Sequence, residues 1–268
     1  MKKILSAIAA AAMLLSITAC SSNNTSSSSS AADSAVSKNP AVPDVLRVAA
    51  EMTYPPFEYM DTDGVTPIGV DVELAYALGE KLGCKVEMVN TGWDGIFAGL
   101  TKGDYDVVIS AVTIIPDRLV DFDFSDPYIE NWQSLIVMAD GDVKPASPSE
   151  LAGLRVGYQE ETTSDIFLTD FIAKNNIEVN TFEYASVMNA YDDLAANRLD
   201  AVICDSTVAT KYLADAKYEQ SWIQTEGEPE QFAVCMPKGS TELQAAINDA
   251  LAQCKADGTL TKIFNTYF

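Results

Sequence analysis

Short apolar runs alternate with longer amphipathic stretches along most of this chain, from Val45 onward. "VLRVAA" (45–50) has the pattern of a buried strand. "GVDVELAYALGEKLG" places apolar residues at helical spacing and ends on a glycine stop at Gly83. A strand "CKVEMVN", a short helix "WDGIFAGLTKG" and a strand "YDVVISAV" follow, and "YIENWQSLIVM" (128–138) reads as one longer strand. After a polar break the alternation restarts, with "LRVGYQE", "IEVNTFEY" and "LDAVICD" as strands. Between and after them, "TSDIFLTDFIAKNN", "SVMNAYDDLAANR" and "STVATKYLADA" are helices. The alternation ends near "EQFAVCM"; beyond it come only the helical stretches "STELQAAINDALAQCKADG" and "TLTKIFNTYF". Such alternation predicts mainly parallel sheets flanked by helices. Two units of it predict an α/β protein of two lobes with a crevice between them. The terminal helices, having no sheet of their own, must pack on a lobe already built.

The first 44 residues depart from this pattern. Met1-Lys2-Lys3 is a short positive start, and Ile4 to Ser16 is apolar. That run is shorter than the roughly 20 apolar residues a membrane-spanning helix needs, and its layout is that of a secretory signal peptide over 1–19. The ending "SITAC" resembles a bacterial lipobox, which implies cleavage before Cys20 and lipidation of that cysteine. Residues 20–44 are rich in Ser, Ala and Asn, with little to bury, and read as a flexible tether. The expected setting is therefore extracytoplasmic, with the body held at the membrane by the lipid alone; the long serine-rich tether leans towards a Gram-positive surface.

Composition narrows the chemistry. The 268 residues carry 39 acids against 17 bases, a formal charge of −22, and loss of Lys2 and Lys3 makes the mature chain more negative still. Nucleic acid, which needs a basic footprint, is excluded as a partner. With no histidine at all, His-based metal sites and Ser-His or Cys-His catalytic sets are excluded too. "DFDFSDP" (121–127) is acidic but lacks the spacing and glycine of a calcium loop, so no metal and no cofactor is expected. Cys84, Cys204, Cys235 and Cys254 lie far apart without a CxxC pair; Cys204 and Cys235 sit in apolar runs, as buried thiols do.

The candidate chemistry lies where the strands end, which is where ligands bind in such sheets. Glu51 and Tyr54 follow the first strand, and Trp93 opens the short helix. Ala111, Thr113 and Arg118 follow "YDVVIS"; Thr162 and Thr163 open a helix after "RVGYQ"; Asp205 follows "AVIC". These groups answer a zwitterion. Arginine binds a carboxylate bidentately, helix-start amides and hydroxyls add donors, Asp205 suits an ammonium, and aromatic faces flank an aliphatic or cationic body. Each has a plainer reading as well: Arg118 as a surface partner of Asp117, Asp205 and the threonines as helix caps, Tyr54 and Trp93 as core, Glu51 as a solvated rim residue. Phe57 reads as core.

"AAEMTYPPFEY", "GVDVELAYAL", "GWDGIFAGLTKGDYDVVIS", "TIIPDR", "FDFSDPY", "RVGYQEETTSD", "LDAVICDSTVA" and "FAVCMPKGSTELQAAINDAL" occur in this order from about Val45 to Phe268. As an ordered set they resemble the polar amino acid-binding proteins, the family 3 solute receptors of ABC importers with the type II periplasmic-binding fold. The resemblance implies a non-enzymatic, monomeric receptor that hands an amino acid to permease subunits. It also implies hinge strands near 128–134 and 230–236, so that lobe 1 comprises 45–132 plus 232–268 and lobe 2 comprises 133–231. Arg118 matches the carboxylate clamp, with Thr113 the hydroxyl in the same loop, and Ala111 beside Ser110 matches the carbonyl that receives the ammonium. Thr162 and Thr163 match the second-lobe helix start, Asp205 the ammonium acceptor, and Tyr54, Trp93 and Glu51 the pocket lining. Gln159 falls at a side-chain-reading position.

The chain departs from the pattern at Glu160-Glu161, where many relatives have a small residue. Glu161 either competes with a ligand carboxylate for the helix amides or points into the cleft to meet a cationic side chain. Glu51, Glu161 and Asp205 against a single arginine favour a basic or neutral polar ligand, Arg or Lys before Gln. Two rivals remain: an exported dehydratase-like enzyme on the same fold, with Glu51 or Glu161 as general acid, and an extracytoplasmic amino acid sensor.

Overall fold

A computed structural model describes residues 39–268. The signal segment, Cys20 and most of the tether lie outside the described residues. Val42, inside the span read as tether, is buried, so the last residues before the first strand already pack on the body.

The first part of the chain runs β1 (Val45–Ala50), β2 (Thr53–Tyr54), β3 (Glu58–Met60), β4 (Pro67–Ile68), α1 (Val70–Leu82), β5 (Lys85–Asn90), α2 (Trp93–Lys102), β6 (Val107–Val108), α3 (Pro116–Asp121) and β7 (Phe122–Phe124). Two strands follow in succession, β8 (Ile129–Asn131) and β9 (Gln133–Met138). Then come β10 (Arg155–Gln159), α4 (Thr163–Asn175), β11 (Asn180–Tyr184), α5 (Val187–Ala195), β12 (Ala201–Asp205), α6 (Ser206–Leu213) and β13 (Tyr218–Ile223). The chain closes with β14 (Glu230–Phe232), β15 (Cys235–Pro237), α7 (Thr241–Ala256) and α8 (Thr259–Tyr267).

Two five-stranded sheets result, ordered β5-β1-β6-β15-β7 and β11-β10-β12-β9-β13. In each, the first three strands are parallel and the last two join antiparallel. The parallel halves carry the site, because their carboxyl ends open on the same crevice. The chain passes between the sheets through β8 and β14, which pair with each other as a separate antiparallel ribbon, Asn131 opposite Glu230. The single strand expected over 128–138 is thus two strands, broken at Trp132. Likewise "EQFAVCM" is broken into β14 and β15. An apolar run marks burial; it carries no mark of where a strand changes sheets.

Helix boundaries follow local chemistry. Gly83 ends α1 at φ 69°, a left-handed turn that glycine adopts without steric cost. Ser186 caps α5 by accepting from the Met188 amide. Gly69, ahead of α1, is required for another reason: a Cβ there would lie 2.1 Å from the Phe57 carbonyl oxygen. The terminal helices α7 and α8 pack on α1, burying Ile247, Leu251, Leu260 and Ile263. Cys204, Cys235 and Cys254 are buried free thiols, and Phe57 is wholly buried core.

Candidate functional site: the interlobe cleft

A cavity lies between the sheets, lined by Glu51, Tyr54, Glu58, Trp93, Ser110, Ala111, Thr113, Arg118, Gln159, Thr162, Thr163 and Asp205. Strand ends put these side chains there: Glu51 leaves β1, Ser110 and Ala111 follow β6, Gln159 ends β10 and Asp205 ends β12. Of the sequence-derived candidates, Glu161 alone is absent from the lining, and Glu58 joins it.

Arg118 is the cation of the site. It stands on the six-residue helix α3 rather than in the loop expected for "TIIPDR". Its guanidinium donates to the Thr113 carbonyl at 3.1 Å and the Glu161 carbonyl at 3.4 Å. It lies 5.4 Å from the Trp93 ring centroid and 5.0 Å from that of Phe97. The surface pair with Asp117 is not formed, and among the described residues Arg118 makes no ion pair. Burial pulls its pKa below the ordinary value. A guanidinium satisfied only by carbonyls and aromatic faces retains capacity for an anion.

The acids are held differently. Asp205 caps no amide of α6 with its side chain. Its carboxylate instead accepts from the Tyr54 hydroxyl at 2.5 Å, Asn131 Nδ2 at 2.6 Å and Gln133 Nε2 at 3.0 Å. Burial and the nearby Glu230 charge push its pKa up to about 7. Glu51 is buried rather than on the rim and accepts from Thr53 Oγ1 at 2.5 Å and Gln159 Nε2 at 2.6 Å; burial raises its pKa. Glu58, fully buried, accepts from Ser110 Oγ at 2.6 Å. Burial and the adjacent Asp71 hold Glu58 well above the carboxylate range, while burial raises Asp71 to about 6. Asp71 in turn accepts from the Ala111 amide at 2.7 Å and the Tyr128 hydroxyl at 2.9 Å. The Ala111 contact holds that residue in its left-handed backbone, φ 47°.

Neither expectation for the Glu161 side chain holds. Glu161 is exposed, with φ 57°, a left-handed turn that leaves its side chain out of the cavity lining. Its main chain takes part instead: the carbonyl accepts from Trp93 Nε1 at 3.2 Å and from Arg118. Thr162 caps α4, accepting from the Asp165 amide at 3.4 Å.

Several residues that shape the site escaped the sequence reading: Glu58, Asp71, Phe97, Asn131, Gln133 and Glu230. Glu58 and Asp71 could have been flagged as acids inside otherwise apolar stretches, "PPFEYM" and "GVDVEL". Asn131, Gln133 and Glu230 lie where the chain crosses between sheets, a position without local pattern. Bonds between groups carried by different sheets (Tyr54 with Asp205, Glu51 with Gln159, Trp93 with Glu161) show the lobes closed on one another.

Comparison with known proteins agrees with this geometry. Residues 46–268 match the model of the bacterial extracellular solute-binding proteins, family 3. The ABC transporter arginine-binding protein 1 of Escherichia coli K12 is 32% identical over 222 residues, 81% of this chain and 87% of that protein. The solved structure of an ancestral arginine-binding protein bound to arginine is 35% identical, with a TM-score of 0.78 over 84% of this chain and 99% of that one. An ancestral amino acid-binding protein, described as a precursor of cyclohexadienyl dehydratase, is 34% identical with a TM-score of 0.77, over 84% of this chain and 96% of that one. The fold is the two-lobe type II periplasmic-binding fold.

Proposed function

The chain belongs to the bacterial extracellular solute-binding proteins, family 3, and from that premise we propose that it captures a basic or neutral polar L-amino acid, arginine or lysine before glutamine. In this reading the α-carboxylate meets Arg118 and the amides opening α4, and the α-ammonium meets Asp205 and the main chain at Ser110 and Ala111. The side chain runs between Tyr54 and Trp93 towards Glu51 and Gln159. The observation that carries the reading is the charge layout of the lining: one guanidinium against the carboxyls of Glu51 and Asp205, with Glu58, held well above the carboxylate range, adding no charge of its own. An acidic ligand side chain would need a second cation, and Arg118 is the only basic residue of the lining. The similar proteins named for arginine support the same class.

The protein works as a lipid-anchored monomer, with residues 1–19 removed, Cys20 acylated and the lobes divided near 132 and 231. It delivers its ligand to permease subunits of an ABC importer. Closure follows from differential affinity, because one molecule supplies contacts to both lobes at once. A thermal-shift screen of the twenty amino acids tests the assignment. At one common concentration arginine or lysine should stabilise most, by about 2.7 kcal/mol where that concentration is about 100 times the Kd; stabilisation by glutamate or aspartate alone would overturn it. The likeness to the dehydratase precursor, with cleft acids whose pKa values are raised, keeps a second reading open to assay. Turnover of a carboxylated ring substrate, lost in Glu51→Gln, would establish it.

A further inference from the structure

Glu230, in β14, does not line the cavity, yet its carboxylate accepts four side-chain hydrogen bonds from the cleft's framework, against three for Asp205. One carboxylate oxygen accepts from Thr113 Oγ1 at 3.4 Å, Thr163 Oγ1 at 3.1 Å and Asn131 Nδ2 at 3.1 Å. The other accepts from Gln133 Nε2 at 2.9 Å. Thr113 follows β6 in the first sheet's lobe, Thr163 opens α4 in the second, and Asn131 and Gln133 flank the crossing between them. The same two amides also hold Asp205. Opposite lobes thus meet on a single carboxylate standing in the crossover ribbon.

We propose that Glu230 is a positioning residue that latches the closed state from within the hinge, independently of which amino acid is bound. Thr113 and Thr163 ride on different lobes, so their bonds to Glu230 can coexist only when the lobes are closed. Each threonine hydroxyl has one proton, and both are given to Glu230, so neither is left to donate into the cavity. The latch therefore acts on the open–closed equilibrium and not on the ligand. An apparent dissociation constant equals the intrinsic one divided by the fraction of binding-competent protein. A weakened latch must then lower affinity for every ligand by one common factor.

The inference rests on the amino acid-binding reading only for its affinity arm; the ligand-free conformation tests it alone. Small-angle X-ray scattering of the ligand-free protein should show a larger radius of gyration in Glu230→Gln than in the parent. Calorimetric titration with L-arginine, L-lysine and L-glutamine should show all measurable affinities falling by the same factor, about tenfold where the closed fraction falls about tenfold. Should Glu230→Gln not fold, Glu230→Asp, which keeps the charge and shortens the reach, carries the same expectation. Scattering unchanged in the variant overturns the latch. So do affinities that shift for one amino acid and not another, which would put Glu230 in contact with the ligand. A gain in affinity also overturns it, since Glu230 would then act on the ligand, by competing for the threonine donors or by holding Asp205 protonated. A parent protein that binds none of these ligands would sink the functional reading while leaving the scattering comparison decisive for the latch.

Discussion

The two lobes are alike at the amino ends of their parallel strands and unlike at the carboxyl ends. In the first, Arg47 of β1 clasps Asp106, just ahead of β6. The backbone amide donates to Oδ2 at 2.8 Å, Nε to Oδ2 at 3.3 Å and Nη2 to Oδ1 at 2.7 Å. In the second, Arg155 of β10 clasps Asp200, just ahead of β12, at 2.7, 3.1 and 2.7 Å through the same three atoms. The third guanidinium nitrogen turns to a carbonyl in both, of Asp104 in one lobe and Asn197 in the other. At the opposite ends, lobe 1 presents a half-buried arginine against Trp93 and Phe97, and lobe 2 presents hydroxyls and Asp205. One device fastens both sheets at the ends away from the cleft, and the ends that face the cleft carry unlike side chains.

Substitutions separate the two regions. Arg118→Ala should have the largest effect, a loss of about 2–5 kcal/mol in binding, as for truncating one partner of a buried charge pair. Thermal unfolding should stay close to the parent, since only carbonyls lose a donor. Calorimetry and a melting curve on the same sample check both halves.

Asp205→Asn should cost less, about 1.5–3 kcal/mol, because the amide keeps the shape but loses the charge facing an ammonium. Asp205 also gives the comparison a pH signature. Its pKa of about 7 in the folded protein lies above the roughly 3.9 of an unfolded aspartate. The folded state therefore binds the proton more tightly. The contribution of this group to ligand-free stability is full below about pH 4 and is lost as pH rises through 7. Affinity for an ammonium ligand should move oppositely, rising as Asp205 ionises over that upper range, and Asp205→Asn should flatten the profile. At the far ends, Arg155→Ala should lower the melting midpoint slightly and leave affinity unchanged, because the pair is partly exposed and surface pairs contribute little.

The comparison also shows what the sequence could and could not reveal. Strand runs such as 45–50 and 201–205 were legible as short apolar runs, since such strands are buried on both faces, and the amphipathic helices because burial on one face imposes a period on the chain. The residues after those strands were legible because the sheet puts its carboxyl ends at the crevice. Trp132, where the run changes sheets, was not, since both halves read as extended chain and their difference in burial, partial in β8 and nearly complete in β9, arises only in the fold. Glu230 was hidden for a related reason: its partners Thr113, Thr163 and Gln133 are brought to it by the hinge, with no spacing along the chain to announce them. The charge of Glu161 points to a role in the cleft, but its backbone, at φ 57°, leaves the side chain exposed. In a left-handed turn the carbonyl, and not the carboxylate, supports the arginine.

In the proposed function a ligand bridges the unlike ends, its carboxylate on Arg118 and its ammonium on Asp205. Calorimetric titration of the protein with L-arginine and, in parallel, with agmatine, which has the same side chain and no carboxylate, tests it directly. L-arginine should bind tightly, and agmatine with an affinity lower by about thirtyfold or more. Equal affinities would contradict it.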